Sequence, residues 1–187
     1  MVNQGFETET INLKKVDAIP DDIKALVIAD PKSPYTEKEL DLIHEYIASG
    51  RNLLLALEPD STILNSVLDS LGVDLKPGVL LEESEDYDAD LIQAKYTKES
   101  NDIGIRYRDN FVVSMPTAAG LIINDSITNF KSKPILITNK EMVWNNTEEF
   151  DLETEQVSFD PENDSKVELP LAVALTRTIN SKNQKIV

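Results

Sequence analysis

Ala25-Leu26-Val27-Ile28-Ala29-Asp30-Pro31 decides the fold. An uninterrupted apolar run that stops at an Asp-Pro turn reads as a strand buried on both faces, the habit of parallel sheets. Downstream, Thr36 precedes Glu39 by three residues, a capping box, and Tyr35 stands against Leu40 as a hydrophobic staple. Leu40, Ile43 and Ile47 continue one helical stripe, and Gly50 sits where a helix-ending glycine belongs. Leu53-Leu54-Leu55-Ala56-Leu57 is a second apolar run, closed by Glu58-Pro59-Asp60. Ile63, Leu64, Val67, Leu68 and Leu71 then recur at helical spacing up to Gly72, with Asp60 or Ser61 expected as the cap. Strand, helix, strand, helix with short connections predicts a right-handed crossover and parallel pairing.

Upstream, Ile19-Pro20-Asp21-Asp22 is a turn, and the alternation of Glu9-Thr10-Ile11-Asn12-Leu13 predicts an edge strand. Beyond Gly72 the pattern changes. Glu82, Glu83, Glu85, Asp86, Asp88 and Asp90 place six carboxylates in nine positions, opening an acidic excursion from the sheet over about 82–109. Within it only Asp90 to Tyr96 keeps a regular period. Strands are expected at Phe111-Val112-Val113, Gly120 to Ile123 and Pro134 to Thr138, too closely spaced for intervening helices, so this half should be antiparallel or mixed. A polar loop or hairpin follows over about 145–166. Leu169 to Leu175 is a further buried strand, and Ile179 to Asn183 a turn into a terminal strand at Gln184 to Val187. That strand has no closing turn signal, and the natural protein is expected to continue. The 187 residues are expected to form one α/β domain.

The order and spacing of these pieces resemble a known family. Ile19 to Pro31, Thr36 to Leu40 and Tyr46 to Leu55, then Met115-Pro116, Gly120-Leu121, Ile137-Thr138-Asn139 with Trp144, and Pro170 to Leu175 are similar to the gliding-motility-type, GldG-like auxiliary components of ABC transporters. The resemblance implies a flavodoxin-like or glutamine-amidotransferase-like α/β layer. It also implies an extracytoplasmic, periplasmic domain tethered by flanking transmembrane segments, beside ABC permease and ATPase subunits or another envelope protein. In that family a further strand and helix upstream of Met1, and a continuation beyond Val187, would be expected.

The 34 acidic against 18 basic side chains give a formal charge of −16, which repels nucleic acid and anionic lipid. With no cysteine there is no disulfide, thiolate metal site or cysteine nucleophile. A glutamine-amidotransferase reaction would need that nucleophile and a neighbouring base, whereas the lone His44 lies inside the capped helix. No apolar window reaches the roughly 20 residues of a membrane-spanning helix. Walker A and dinucleotide-binding glycine patterns do not occur, and no cofactor, catalytic residue or metal ligand is assigned.

Small ligands in open α/β sheets bind at the carboxyl ends of the strands, which nominates Asp30, Lys32 and Ser33 after one strand and Glu58 and Asp60 after the next. Facing carboxylates there suit a hard cation, while turn and helix capping explain the same residues without a ligand. Asp160-Pro161-Glu162-Asn163-Asp164 echoes a calcium loop but lacks its glycine and terminal glutamate. The acidic run nominates Glu82, Glu83, Glu85, Asp86, Asp88 and Asp90 as a docking surface for a basic partner. The leading expectation is a non-catalytic interaction domain. Its rivals are a small-ligand or carbohydrate-binding domain and a metal-dependent hydrolase.

Overall fold

The computed structural model describes residues 5, 7–107, 110–150, 157–179 and 181–187. Its parallel unit pairs as the sequence predicts, but the Ala25–Ala29 strand is not buried on both faces as its apolar run implied, since helices cover only one side of it. β1 (Ala25–Ala29) and β2 (Asn52–Ala56) pair in parallel, Leu26 beside Leu53 and Ile28 beside Leu55, with α1 (Glu37–Ala48) between them in the chain. The capping box is complete: Glu39 N–H donates to Thr36 Oγ1 at 3.4 Å, and Thr36 N–H donates back to Glu39 Oε2 at 2.8 Å. Leu42, Ile43, Tyr46 and Ile47 of α1 bury against Ile28 and Leu53, so one face of the parallel pair is covered. The opposite face shows Val27 and Leu54, register partners that stay 41% and 40% exposed.

The second helix is shorter than its apolar pattern implies. α2 (Asn65–Leu71) has Leu64 at its N-cap without a side-chain cap bond, so neither Asp60 nor Ser61 caps it. It ends on Gly72 at φ 69°, where an added Cβ would meet the Asn124 carbonyl oxygen at 2.7 Å. The strand expected at Glu9 to Leu13 is absent: Asn12 instead accepts from Lys14 N–H and opens a 3-10 turn at Leu13–Lys15. Local capping has overridden a weak alternation.

The remaining strands are β3 (Val73–Leu75), β4 (Val79–Glu82), β5 (Leu91–Tyr96), β6 (Val112–Pro116), β7 (Leu121–Ile123), β8 (Lys131–Ile137), β9 (Val143–Asn146), β10 (Pro170–Ile179) and β11 (Lys182–Ile186). A seven-stranded sheet runs β1-β2-β11-β10-β8-β5-β6, with β3-β7 and β4-β9 as separate antiparallel pairs. The class is α/β with a mixed sheet, parallel at β1-β2 and β2-β11 and antiparallel from β11 to β6. The terminal strand is internal: Val187 N–H donates to Leu53 O at 3.0 Å and Leu55 N–H donates to Val187 O at 2.7 Å.

Two stretches expected to leave the sheet contribute to it or to its partners. The acidic excursion holds β5, a member of the main sheet, although 108–109 lie outside the described residues. The polar stretch begins with β9 and, beyond 151–156, which are also outside the described residues, returns to place Phe159 edge-on to Trp144 at 5.6 Å. Trp144 is buried and belongs to the core. The turn expected over Ile179 to Asn183 is tighter, since β10 reaches Ile179 and β11 begins at Lys182; Asn180 lies outside the described residues. One apolar core lies between the helices and the parallel part of the sheet, and a second joins Leu80, Ile92, Ala94, Val143 and Leu171.

Candidate functional site

The first nominated site forms where β1 and β2 end together. Asp30 N–H donates to Ala56 O at 2.8 Å, which extends the parallel ladder by one bond and then releases both chains into loops. Asp30 sits at φ 45° and Asp60 at φ 55°, left-handed conformations that cost most side chains about 1–2 kcal/mol and that Asp tolerates better than others. Lys32 Nζ lies 2.6 Å from Asp30 Oδ2. That hydrogen bond, reinforced by the charges of Asp30 and Glu58 against partial desolvation, pushes the Lys32 ammonium above its ordinary value. Asp30, Lys32 and Glu58 therefore share one electrostatic neighbourhood. Ser33 is exposed beside it.

Asp60 faces elsewhere. Its Oδ1 accepts from Gly78 N–H at 3.0 Å, tying the loop after β2 to the turn before β4. The Asp30 carboxylate is occupied by an ammonium, and among the described residues no group of three or more His, Cys, Asp or Glu is placed to hold a metal ion. In the calcium-loop echo, the Asp160 carboxylate accepts from Glu162 N–H at 3.0 Å and Asn163 Nδ2 at 2.7 Å, and these bonds hold its pKa below the usual range. His44 is half-buried on α1.

The acidic run becomes a turn between β4 and β5 with fastened ends. Glu82 is only 2% exposed: its carboxylate accepts from Gln93 N–H at 2.7 Å and from the Tyr87 hydroxyl at 3.1 Å. It is thus withdrawn from the surface on which the sequence placed it, because two half-buried donors find their acceptor there. At the other end Asp90 Oδ2 accepts from the Thr117 hydroxyl at 2.7 Å, with Thr117 at φ 48°. Glu83 pairs with Lys166 at 2.7 Å. Glu83, Glu85, Asp86 and Asp88 remain exposed, so four of the six nominated carboxylates point to solvent on a braced turn.

Sequence reasoning missed a polar cleft of about 430 Å³ over the ends of β8, β10 and β11, lined by Lys131, Thr176, Arg177, Thr178, Asn183 and Lys185 among others. Its residues are far apart in the chain and none belongs to a motif, so only the strand register reveals it.

Residues 1–119 match the model of a family described as an ABC-type uncharacterized transport system. The chain belongs to that family. The matched segment includes both the strand-end site and the acidic turn, while the cleft lies beyond it. No curated protein matches the chain. Among solved structures it is similar to the "mmIFT52 N-terminal domain", at a TM-score of 0.56 and 12% identity over 88% of this chain. The alignment spans 65% of that chain's length, and at such identity the likeness is one of fold. No helix among the described residues is long and apolar enough to cross a membrane.

Proposed function

We propose that this chain is a non-catalytic, extracytoplasmic interaction domain of an ABC-type transport system, of the gliding-motility type. The observation that carries the reading is the braced acidic turn. Glu82 and Asp90 are spent on holding its ends, and Glu85, Asp86 and Asp88 are presented outward from a hydrogen-bonded base, beside an exposed Glu83 that pairs with Lys166. Such pre-organisation lowers the ordering cost of docking, and the concentrated negative charge steers a basic partner. Family membership supports a permease or ATPase subunit, or another envelope protein, as that partner. The lack of cysteine and the placement of His44 on a packed helix support a binding role over catalysis. The β1–α1–β2 unit supports flavodoxin-like or glutamine-amidotransferase-like kinship for the parallel part of the sheet.

The test is recovery of transporter subunits from detergent-solubilised envelopes with the domain as bait, beside a variant carrying E83Q, E85Q, D86N and D88N. Retention of the permease by the native domain and its loss with the variant is expected. Equal retention by both would overturn the assignment of the turn.

A second reading, a small-ligand or carbohydrate-binding domain, draws on Asp30. Its left-handed backbone at the end of a parallel strand, beside Lys32 and Glu58, is the arrangement in which strained residues often serve ligands. A metal-dependent hydrolase gains no comparable support from the placement of the carboxylates among the described residues.

A further inference from the structure

The cleft over β8, β10 and β11 carries charge of the opposite sign to the chain. In the strand register Thr176 of β10 is flanked directly by Lys131 of β8 and by Lys185 of β11, which places the three side chains in one row on one face of the sheet. The neighbouring pair on that face is Thr178 and Asn183, joined by a 3.1 Å hydrogen bond from the threonine hydroxyl to Asn183 Oδ1. Arg177 lines the same cavity, held by Gln184 at 2.6 Å and stacked over Phe130 at 4.2 Å. None of the ion pairs among the described residues uses Lys131, Arg177 or Lys185. Acidic groups outnumber basic ones 34 to 18, yet this cleft is lined by Lys131, Arg177 and Lys185 and by no carboxylate.

We propose that this cleft binds an acidic, extended polypeptide segment of a protein partner, whose carboxylates bridge Lys131 and Lys185 across Thr176. Exposed ion pairs contribute only about 0.2–1 kcal/mol each, so a small anion touching one lysine would gain little. A segment that engages both lysines gains two such contacts for one association cost. Geometry sets its pattern. Two strand spacings separate the lysines by about 10 Å, and a chain in the polyproline II form rises about 3.1 Å per residue with three residues per turn, so carboxylates three residues apart share one face and match the row. The net charge opposes an acidic ligand at long range, yet at about 0.15 M salt the screening length of about 8 Å confines the interaction to the local patch. The inference goes beyond the reading of the acidic turn, because it assigns a second surface of opposite sign on different strands.

The test is fluorescence anisotropy of a labelled extended peptide with glutamates at positions i and i+3, and of its glutamine counterpart, titrated with the whole chain. The variants are K131Q/K185Q and, as control, Lys140→Gln, all checked by thermal unfolding. Saturable binding of the glutamate peptide is expected, weakened about two- to thirtyfold by K131Q/K185Q, unchanged by Lys140→Gln, and lost as salt approaches 1 M. Equal binding of the glutamine peptide, indifference to K131Q/K185Q, or no binding at millimolar protein would overturn the proposal. So would self-association in sedimentation velocity that the double variant abolishes, since the occupant would then be a second copy. Failure here leaves the acidic turn and its envelope partner untouched, because the E83Q/E85Q/D86N/D88N comparison reads a different surface.

Discussion

Gln184 and Ile47 are 137 positions apart in the chain and are joined by a 2.8 Å hydrogen bond from Gln184 Nε2 to the Ile47 carbonyl, in the last turn of α1. Carbonyls there have no partner within the helix. The same Nε2 donates to Arg51 O at 2.7 Å, while Oε1 accepts from Arg177 Nε at 2.6 Å. A side chain that is 1% exposed thus uses its donors and its acceptor to fasten the terminal strand to the helix end. Gln184→Leu should cost about 1–3 kcal/mol by stranding the Arg51 carbonyl and the Arg177 Nε–H, while Arg177 Nη2 keeps its 3.0 Å bond to the Ile47 carbonyl. Gln184→Glu should cost more, since it sets a carboxylate against two carbonyl oxygens. Urea unfolding measures both, and a leucine variant as stable as the native chain would show that the junction is held by packing alone.

The start of the same helix gives a pH-dependent prediction. Hydrogen bonds from the Thr36 backbone and hydroxyl, aided by the charge of Lys14, hold the Glu39 carboxyl below its ordinary value of 4.5. A depressed folded-state pKa means that the unfolded chain binds the proton more readily. The contribution is therefore complete above the unfolded value and is lost as pH falls through the folded one. Glu39→Gln should flatten that part of the acid limb while keeping an acceptor for Thr36 N–H. Thr36→Ala should lower stability by about 1 kcal/mol at neutral pH. Chemical unfolding at successive acidic pH values separates the two effects.

Glu82 offers a sharper contrast. It supplies the acceptor for Gln93 N–H and the Tyr87 hydroxyl from inside the protein, so removal and substitution should differ. Glu82→Ala is expected to lose about 1–3 kcal/mol, because two half-buried donors lose their partner. Glu82→Gln keeps an oxygen at the site and should recover part of the loss. If alanine and glutamine variants unfold at the same denaturant concentration, the carboxylate is not acting as the shared acceptor.

The elements legible in the sequence are those whose signals are local. Thr36, Glu39 and Gly50 bound α1 because caps and a left-handed glycine act within one turn of chain, and the apolar runs of β1 and β2 read as a parallel pair. β3, β4 and β9 are three or four residues long, and each is fixed by a partner dozens of residues away, such as Trp144 beside Leu81. Glu82 looks like part of a solvated run until the donors of Gln93 and Tyr87 are placed around it. Asp60 has the sequence context of a helix cap and instead binds Gly78. The strand-end neighbourhood of Asp30 and Glu58 could be named from the parallel pattern. The Lys131–Thr176–Lys185 row could not, since it exists only in the register of three strands.

Gly78 marks the contact that Asp60 secures. It adopts φ 94°, and an added Cβ would stand 2.2 Å from the Asn146 carbonyl oxygen, a backbone atom with little freedom to retreat. Gly78→Ala combines that collision with an unfavourable backbone and should cost more than 2 kcal/mol, at the upper end of ordinary single substitutions of about 0.5–3 kcal/mol. Asp60→Ala loses only the 3.0 Å bond to Gly78 N–H and should cost less. Equal midpoints for Gly78→Ala and the native chain in thermal unfolding would mean that β9 moves aside freely.

Asp30 allows geometry and ligand chemistry to be separated by two substitutions. At φ 45° alanine is strained by about 1–2 kcal/mol, whereas glycine adopts the conformation without that cost. Asp30→Gly should therefore be more stable than Asp30→Ala, and close to or above the native chain, because the exposed pair with Lys32 contributes little. Both substitutions remove the main cause of the raised Lys32 pKa, which should fall back towards 10.5 in a heteronuclear NMR titration. If glycine serves the strand end as well as aspartate does, backbone geometry alone does not account for a carboxylate at this position, and the ligand-binding reading of Asp30, Lys32 and Glu58 gains weight. A glycine variant that unfolds as readily as the alanine variant would instead assign Asp30 to the local structure of the β1 turn.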